Sequence, residues 1–210
     1  MSLFKKIICS AAFGLFSLVA QAAPVDAGLP PDQLIEKVSG TVLSEIQKDP
    51  ALAQADAERI RVLVDEHILP YTDFARMTRM SVGPAWKKAT DAQKQEIQSL
   101  FRQLLTAVYS GALKEAASYK IQMRPNRFAA DDKVVIIHTA LVSGTNEPIQ
   151  LDYRLLSKDN AWKIFDVNVG GVWLVENYRS QFASVINSSG IEGLIAQLKD
   201  RVETLQKQKK

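Results

Sequence analysis

The spacing of apolar residues changes character twice along this chain, and those two changes constrain its fold more than any single motif does. Up to Ser118 the apolar positions recur at helical intervals, from Tyr119 to Val169 they alternate, and after Tyr178 the helical interval returns. In the alternating part Tyr119, Ile121 and Met123 are interleaved with Lys120, Gln122 and Arg124, and further strands are predicted at 133–143, 148–157 and 161–169. The separators Asp131-Asp132, Ser143-Gly144-Thr145-Asn146 and Lys158-Asp159-Asn160 are short. Links of that length join antiparallel neighbours, so the predicted sheet is a four-stranded meander.

The flanking helices are marked by their ends. Pro30-Pro31-Asp32 opens a pattern in which Leu34, Ile35, Val38, Val42, Leu43 and Ile46 form one stripe, ending before Pro50. A second helix is predicted over 56–69, with Ile60, Leu63, Val64 and Ile68 inside and Pro70 as its stop. Short helical pieces follow at 72–80. Thr90 and Gln93 make a capping box that starts the longest helix, where Ile97, Leu100, Phe101, Leu104, Leu105, Val108 and Tyr109 recur. Two more helices are predicted at 178–187 and 191–207. The fold class is therefore α+β, with several helices packed on one antiparallel sheet.

At the N-terminus, Lys5 and Lys6 precede an apolar stretch at 7–19, and Ala20-Gln21-Ala22 is a small-x-small cleavage site. The stretch falls short of the ~20 residues that span a bilayer. An exported chain cleaved after Ala22 is predicted, with 23–210 as a single domain. Cys9, the only cysteine, lies within the leader, so the mature chain has no disulfide and relies on its core. With Lys5 and Lys6 removed, 24 basic residues face 23 acidic ones, a balance that argues against nucleic acid.

Catalytic machinery is hard to assemble. His67 and His138 are the only histidines and lie far apart in sequence, and there is no H-E-x-x-H, G-x-S-x-G or Walker A loop. Gly170-Gly171 lacks the G-x-G-x-x-G spacing of a nucleotide loop. No enzyme, metal site or cofactor is expected. The strand at 133–143 is apolar on both faces: Val134, Ile136, Ala140 and Val142 share one, while Val135, Ile137 and Leu141 share the other. At 161–169, Trp162 and Ile164 oppose Phe165, Val167 and Val169. The sheet is either covered on both sides by core or covered on one side and lined by a cavity on the other.

The run from Ile164-Phe165-Asp166-Val167 through Gly171-Val172 and Leu174-Val175-Glu176-Asn177-Tyr178-Arg179-Ser180-Gln181-Phe182 carries a resemblance. Upstream, Leu69-Pro70-Tyr71-Thr72-Asp73-Phe74, then Gly83, Trp86, Lys87, Ala89 and Thr90, then Phe101, Leu104-Leu105 and Tyr109 follow in matching order. Together, over about residues 31–198, the chain resembles the MlaC family of periplasmic phospholipid-binding proteins, also called the toluene-tolerance family. Trp173 departs from the pattern, in which a smaller residue is usual, and is expected to reshape the pocket near its rim.

The resemblance implies a monomeric periplasmic carrier that takes phospholipid as cargo, needs no other cofactor, and maintains outer-membrane lipid asymmetry. Its implied partners are an outer-membrane lipoprotein–porin complex and an inner-membrane ABC transporter with a membrane-anchored substrate-binding subunit. A non-lipid periplasmic interaction protein or chaperone is the alternative. A diacyl lipid carries about 28 methylenes, each worth ~0.8 kcal/mol on burial, so a carrier must enclose the tails rather than lay them in a groove. The headgroup prefers water, so it can remain at the mouth and needs no dedicated charged clamp. Candidate wall residues, chosen by period and nearness to the signature, are Leu104, Val108, Ile121, Val135, Ile137, Leu151, Tyr153, Val167, Val169, Val172, Val175 and Tyr178. The apolar residues of 172–182 are expected to help enclose the tails.

Overall fold

A computed structural model describes residues 24–207 apart from 55 and 145; the predicted leader and its cleavage site lie outside the described residues. Helices α1 (Pro31–Lys48), α2 (Pro50–Ala53) and α3 (Ala57–His67) lead to a 3-10 turn at Leu69–Tyr71 and α4 (Phe74–Val82). A second 3-10 segment, Gly83–Lys88, precedes α5 (Asp91–Ala116). Proline at the first position of α1 has no N–H to leave unpaired, and the Asp56 and Asp73 side chains accept N–H groups at the starts of α3 and α4. The capping box of α5 is complete: Gln93 N–H donates to Thr90 Oγ1 at 3.2 Å, and Thr90 N–H donates to Gln93 Oε1 at 2.8 Å.

Strands β1 (Lys120–Met123), β2 (Val134–Ile137), β3 (Thr139–Val142), β4 (Ile149–Lys158), β5 (Ala161–Val169) and β6 (Val172–Trp173) form one antiparallel sheet. Six strands among the described residues replace the four predicted, for two physical reasons. The strand expected at 133–143 is interrupted at His138, where side chains substitute for the backbone ladder. His138 N–H donates to Asn126 Oδ1 at 2.7 Å, Thr139 N–H donates to Asp152 Oδ1 at 3.2 Å, and the Thr139 hydroxyl donates to Leu151 O. Register is unchanged across the break, with Ile137 opposite Tyr153 and Ala140 opposite Gln150, so β2 and β3 lie in line along β4. The sixth strand arises from Gly170-Gly171, whose φ values of 59° and 90° suit a two-residue hairpin loop of type I′. The paired glycines turn a hairpin, with Gly171 N–H donating to Asn168 Oδ1 at 2.8 Å.

A β-bulge corrects the predicted facing of β5. Arg154 pairs with Asp166 but Leu155 pairs with Ile164, leaving Phe165 as an extra residue. The insertion brings Ile164 onto the same face as Val167 and Val169, opposite to the simple alternation expected from the sequence. One sheet face thus carries Ile121, Val135, Ile137, Leu141, Leu151, Tyr153, Leu155, Ile164, Val167 and Val169, as their cross-strand pairing requires. The other face is only partly covered: Val134 is 53% exposed and Ile136 38% exposed.

The last helical element, α6 (Leu174–Lys207), is broken at Gly190 (φ 68°, ψ −169°), which agrees with the two separate helices predicted. Its first turn is tied to the sheet by Asp166, whose Oδ1 accepts Val175 N–H at 3.0 Å and whose Oδ2 receives Arg154 at 3.0 Å. No helix of the described residues is long and apolar enough to cross a membrane.

Candidate functional site

The buried apolar side chains gather into three clusters rather than one. Met77, Ile97, Phe101, Leu104, Val175, Tyr178, Phe182 and Leu198 join α4, α5 and α6. A second cluster seats Leu34, Ile35 and Val38 of α1 on Val135, Ile137, Leu155 and Ile164 of the sheet. The third joins Leu43, Ile46, Leu52, Ile60, Leu63 and Ala116. An ordinary domain closes such groups into one contiguous core. Here they surround a cavity of about 330 Å³, within the range of about 300–1,000 Å³ usual for small-molecule sites.

All three clusters contribute to its wall. Val38, Val42, Leu43 and Ile46 come from α1, Ile60 and Val64 from α3, Leu105 and Tyr109 from α5, and Ile121, Leu141, Leu151, Tyr153, Ile164, Val167 and Val169 from the sheet. Polar exceptions are few. Ser39 and Tyr153 satisfy one another, hydroxyl to hydroxyl at 3.2 Å, and burial pushes the Tyr153 phenol up to about 12, so it stays neutral at physiological pH. Arg102, Thr72 and Thr106 also reach the wall. Two clefts of about 560 and 510 Å³ are larger, but charged side chains line them: Glu36, Lys37, Glu45 and Lys48 in one, Asp73 and Arg102 in the other. Neither can hide an apolar chain from water.

The cavity brings together five of the twelve expected wall positions: Ile121, Leu151, Tyr153, Val167 and Val169. Seven are seated elsewhere. Val135 and Ile137 lie on the sheet face that lines the cavity, but α1 covers them in close-packed core. Leu104, Val175 and Tyr178 belong to the helical cluster, where Phe101 stacks edge-on against Tyr178 at 4.9 Å and Phe182 at 5.3 Å. Val108 is 40% exposed and Val172 51% exposed. On α5 the placement differs by a rotation, because adjacent helical residues point about 100° apart. Leu104 faces α6, while Leu105, with Tyr109 four residues on, faces the cavity.

The apolar run at 172–182 is corrected in the same way. Leu174 reaches the cavity, whereas Val175, Tyr178 and Phe182 close the helical core. Trp173 does not line the cavity: the Arg154 guanidinium lies 3.9 Å from its ring centroid, and Arg154 also pairs with Asp166 and Glu176. The sequence does not assign the α1 wall, although its stripe is plain, because amphipathicity tells that a face is buried and not what it faces.

No group of three or more His, Cys, Asp or Glu side chains able to hold a metal is present among the described residues. The cavity, lined mainly by apolar side chains, can enclose an apolar ligand.

Known proteins resemble the chain in sequence and in fold. A family profile described as MlaC protein matches residues 36–200. The chain is 23% identical over 171 residues to the intermembrane phospholipid transport system binding protein MlaC of Haemophilus influenzae, covering 80% of each protein. It is 21% identical over 185 residues to the toluene tolerance protein ttg2D of Pseudomonas putida, covering 88% of this chain and 82% of that one. Among solved structures it is similar to a phospholipid-binding protein from Ralstonia solanacearum in complex with a phospholipid, with TM-score 0.81 and 36% identity over 87% of this chain and 99% of that one. The chain belongs to the MlaC family.

Proposed function

We propose that the protein is a phospholipid carrier that acts in the periplasm as a monomeric single domain after removal of residues 1–22. It shuttles lipid between an outer-membrane lipoprotein–porin complex and an inner-membrane ABC transporter complex with a membrane-anchored substrate-binding subunit, and so keeps the outer membrane asymmetric. The observation that carries this reading is the apolar cavity between helices and sheet, walled by residues of all three clusters. Support comes from the Ralstonia relative, which holds a phospholipid, and the Haemophilus relative, named for intermembrane phospholipid transport. Enclosure of the tails supplies the affinity. The chain carries no nucleotide-binding loop, so direction comes from its partners.

Uptake from vesicles tests the reading. Delipidated protein is expected to extract phospholipid from donor vesicles and deliver it to acceptor vesicles. Because the tails are common to both, phosphatidylethanolamine and phosphatidylglycerol are expected to compete within about tenfold, or about 1.4 kcal/mol. Failure to extract either lipid contradicts the carrier reading and favours a protein-binding role. A preference far beyond tenfold means that a headgroup-specific clamp contributes.

A further inference from the structure

Where α3, the Leu69–Tyr71 turn and α5 meet, the rim of the cavity carries a cation that an apolar lining does not need. Arg102, together with Leu69, Thr72 and Phe74, borders both the cavity and the adjoining polar cleft of about 510 Å³. Along α5 the same face runs from Gln98 and Ser99 in the cleft, through Arg102, to Leu105, Thr106 and Tyr109 in the cavity. One helix face therefore changes from polar to apolar at Arg102, as a diacyl lipid does at its phosphate.

The present partner of Arg102 holds it loosely. Its Nη1 stands 3.3 Å from Asp65 Oδ1, yet that buried oxygen accepts no hydrogen bond among the described residues. The other carboxylate oxygen, Oδ2, accepts Arg61 Nη1 at 2.8 Å, and Arg61 is steadied by Glu58 at 2.6 and 2.9 Å. When Arg102 turns away, Asp65 keeps Arg61 and is not stranded. Asp73 shares the cleft, but its Oδ1 is engaged in capping α4 by accepting Arg76 N–H at 2.9 Å.

We propose that Arg102 binds the phosphodiester of the lipid whose tails occupy the cavity, and thereby selects phospholipids over neutral diacylglycerols. This rests on the carrier reading. The planar guanidinium fork matches two phosphate oxygens, which a lysine cannot do as well. A phosphodiester is common to every phospholipid, and the groups beyond it extend into the open cleft. Arg102 therefore selects the lipid class without choosing among headgroups.

The test uses phosphatidylcholine vesicles carrying equal small fractions of dioleoylphosphatidylglycerol and dioleoylglycerol, whose acyl chains are identical. Delipidated protein is equilibrated with them, reisolated and extracted, and the ratio of the two lipids is read by mass spectrometry. Wild type is expected to enrich the phospholipid at least tenfold. Arg102→Ala is expected to lower that ratio about tenfold, the modest loss suited to a charge-assisted bond at a partly exposed site. Arg102→Lys should fall between. Asp65→Asn removes a competing anion and is expected to raise the ratio severalfold, whereas a merely structural bridge makes Asp65→Asn behave like Arg102→Ala. An unchanged ratio in Arg102→Ala overturns the proposal, even where total uptake falls with thermal stability. Wild type that takes up neither lipid overturns the carrier reading itself.

Discussion

Val169→Asp is expected to fold and to carry no more than about a tenth of the phospholipid held by wild type, a loss of at least about 1.4 kcal/mol in lipid binding. Val169 lines the cavity at the end of β5, opposite Leu151. In the empty protein a carboxylate there can draw in water, so its solvation survives. An acyl chain displaces that water and leaves the charge without a partner, which costs several kcal/mol. Val169→Trp reaches the same end without charge, because it fills volume that the tails require. An empty cavity accepts the indole, whereas a close-packed core resists added volume at about 1–3 kcal/mol.

The control is six residues along. Val175 is buried among Phe101, Tyr178 and Phe182 and touches no part of the cavity. Val175→Asp is expected to unfold the chain, since Val175 is 3% exposed in a cluster of aromatic and aliphatic side chains, where a buried carboxylate is costly. Thermal unfolding of delipidated protein beside lipid content separates the two sites. If Val169→Asp unfolds the empty protein while its folded remainder keeps full lipid occupancy, Val169 is ordinary core and the site is misplaced.

Phe101→Ala is expected to cost about 3–5 kcal/mol of stability, because it removes a fully buried ring and leaves a hole where the surroundings collapse poorly. Phe101 is 0% exposed and lies within 5.8 Å of the Phe74, Tyr178 and Phe182 rings, centroid to centroid. A domain whose total stability is about 5–15 kcal/mol is brought near its limit by such a loss. Phe101 does not line the cavity, so molecules that remain folded should bind lipid with little change in affinity. Urea unfolding of the delipidated variant measures the first effect and vesicle uptake at low urea the second. A destabilisation below about 1 kcal/mol means that the ring cluster is not the anchor of α5 against α6.

These pairs of residues also mark how far the sequence can be read. Period and caps locate the helices and strands well, since the Thr90 box, the stop at Pro70 and the break near Gly190 are local events written in neighbouring residues. Period two also identifies Leu151 and Tyr153 as companions, and the family signature draws attention to Val167 and Val169. The bulge at Phe165 is illegible to a counting rule, because one unpaired residue reverses the facing of everything before it. Leu104 and Leu105 are chemically identical neighbours, and only the position of α6 decides which of them enters the core. Period places His138 inside one unbroken strand, yet its N–H leaves the ladder for Asn126 and its ring faces Asp152 at 3.2 Å. A cavity is harder still to foresee, since it is the space left between apolar clusters that meet only in part, and no residue pattern encodes that distance directly.

Extraction of gently purified protein with organic solvent, followed by mass spectrometry of the lipid fraction, tests the central claim most directly. A carrier that encloses tails worth more than ~20 kcal/mol of exposed hydrocarbon cannot release them into water on the timescale of gel filtration. Phospholipid is expected in a fixed ratio to protein across the elution peak. Protein that elutes empty, and that still takes up no phospholipid after incubation with vesicles, contradicts the account.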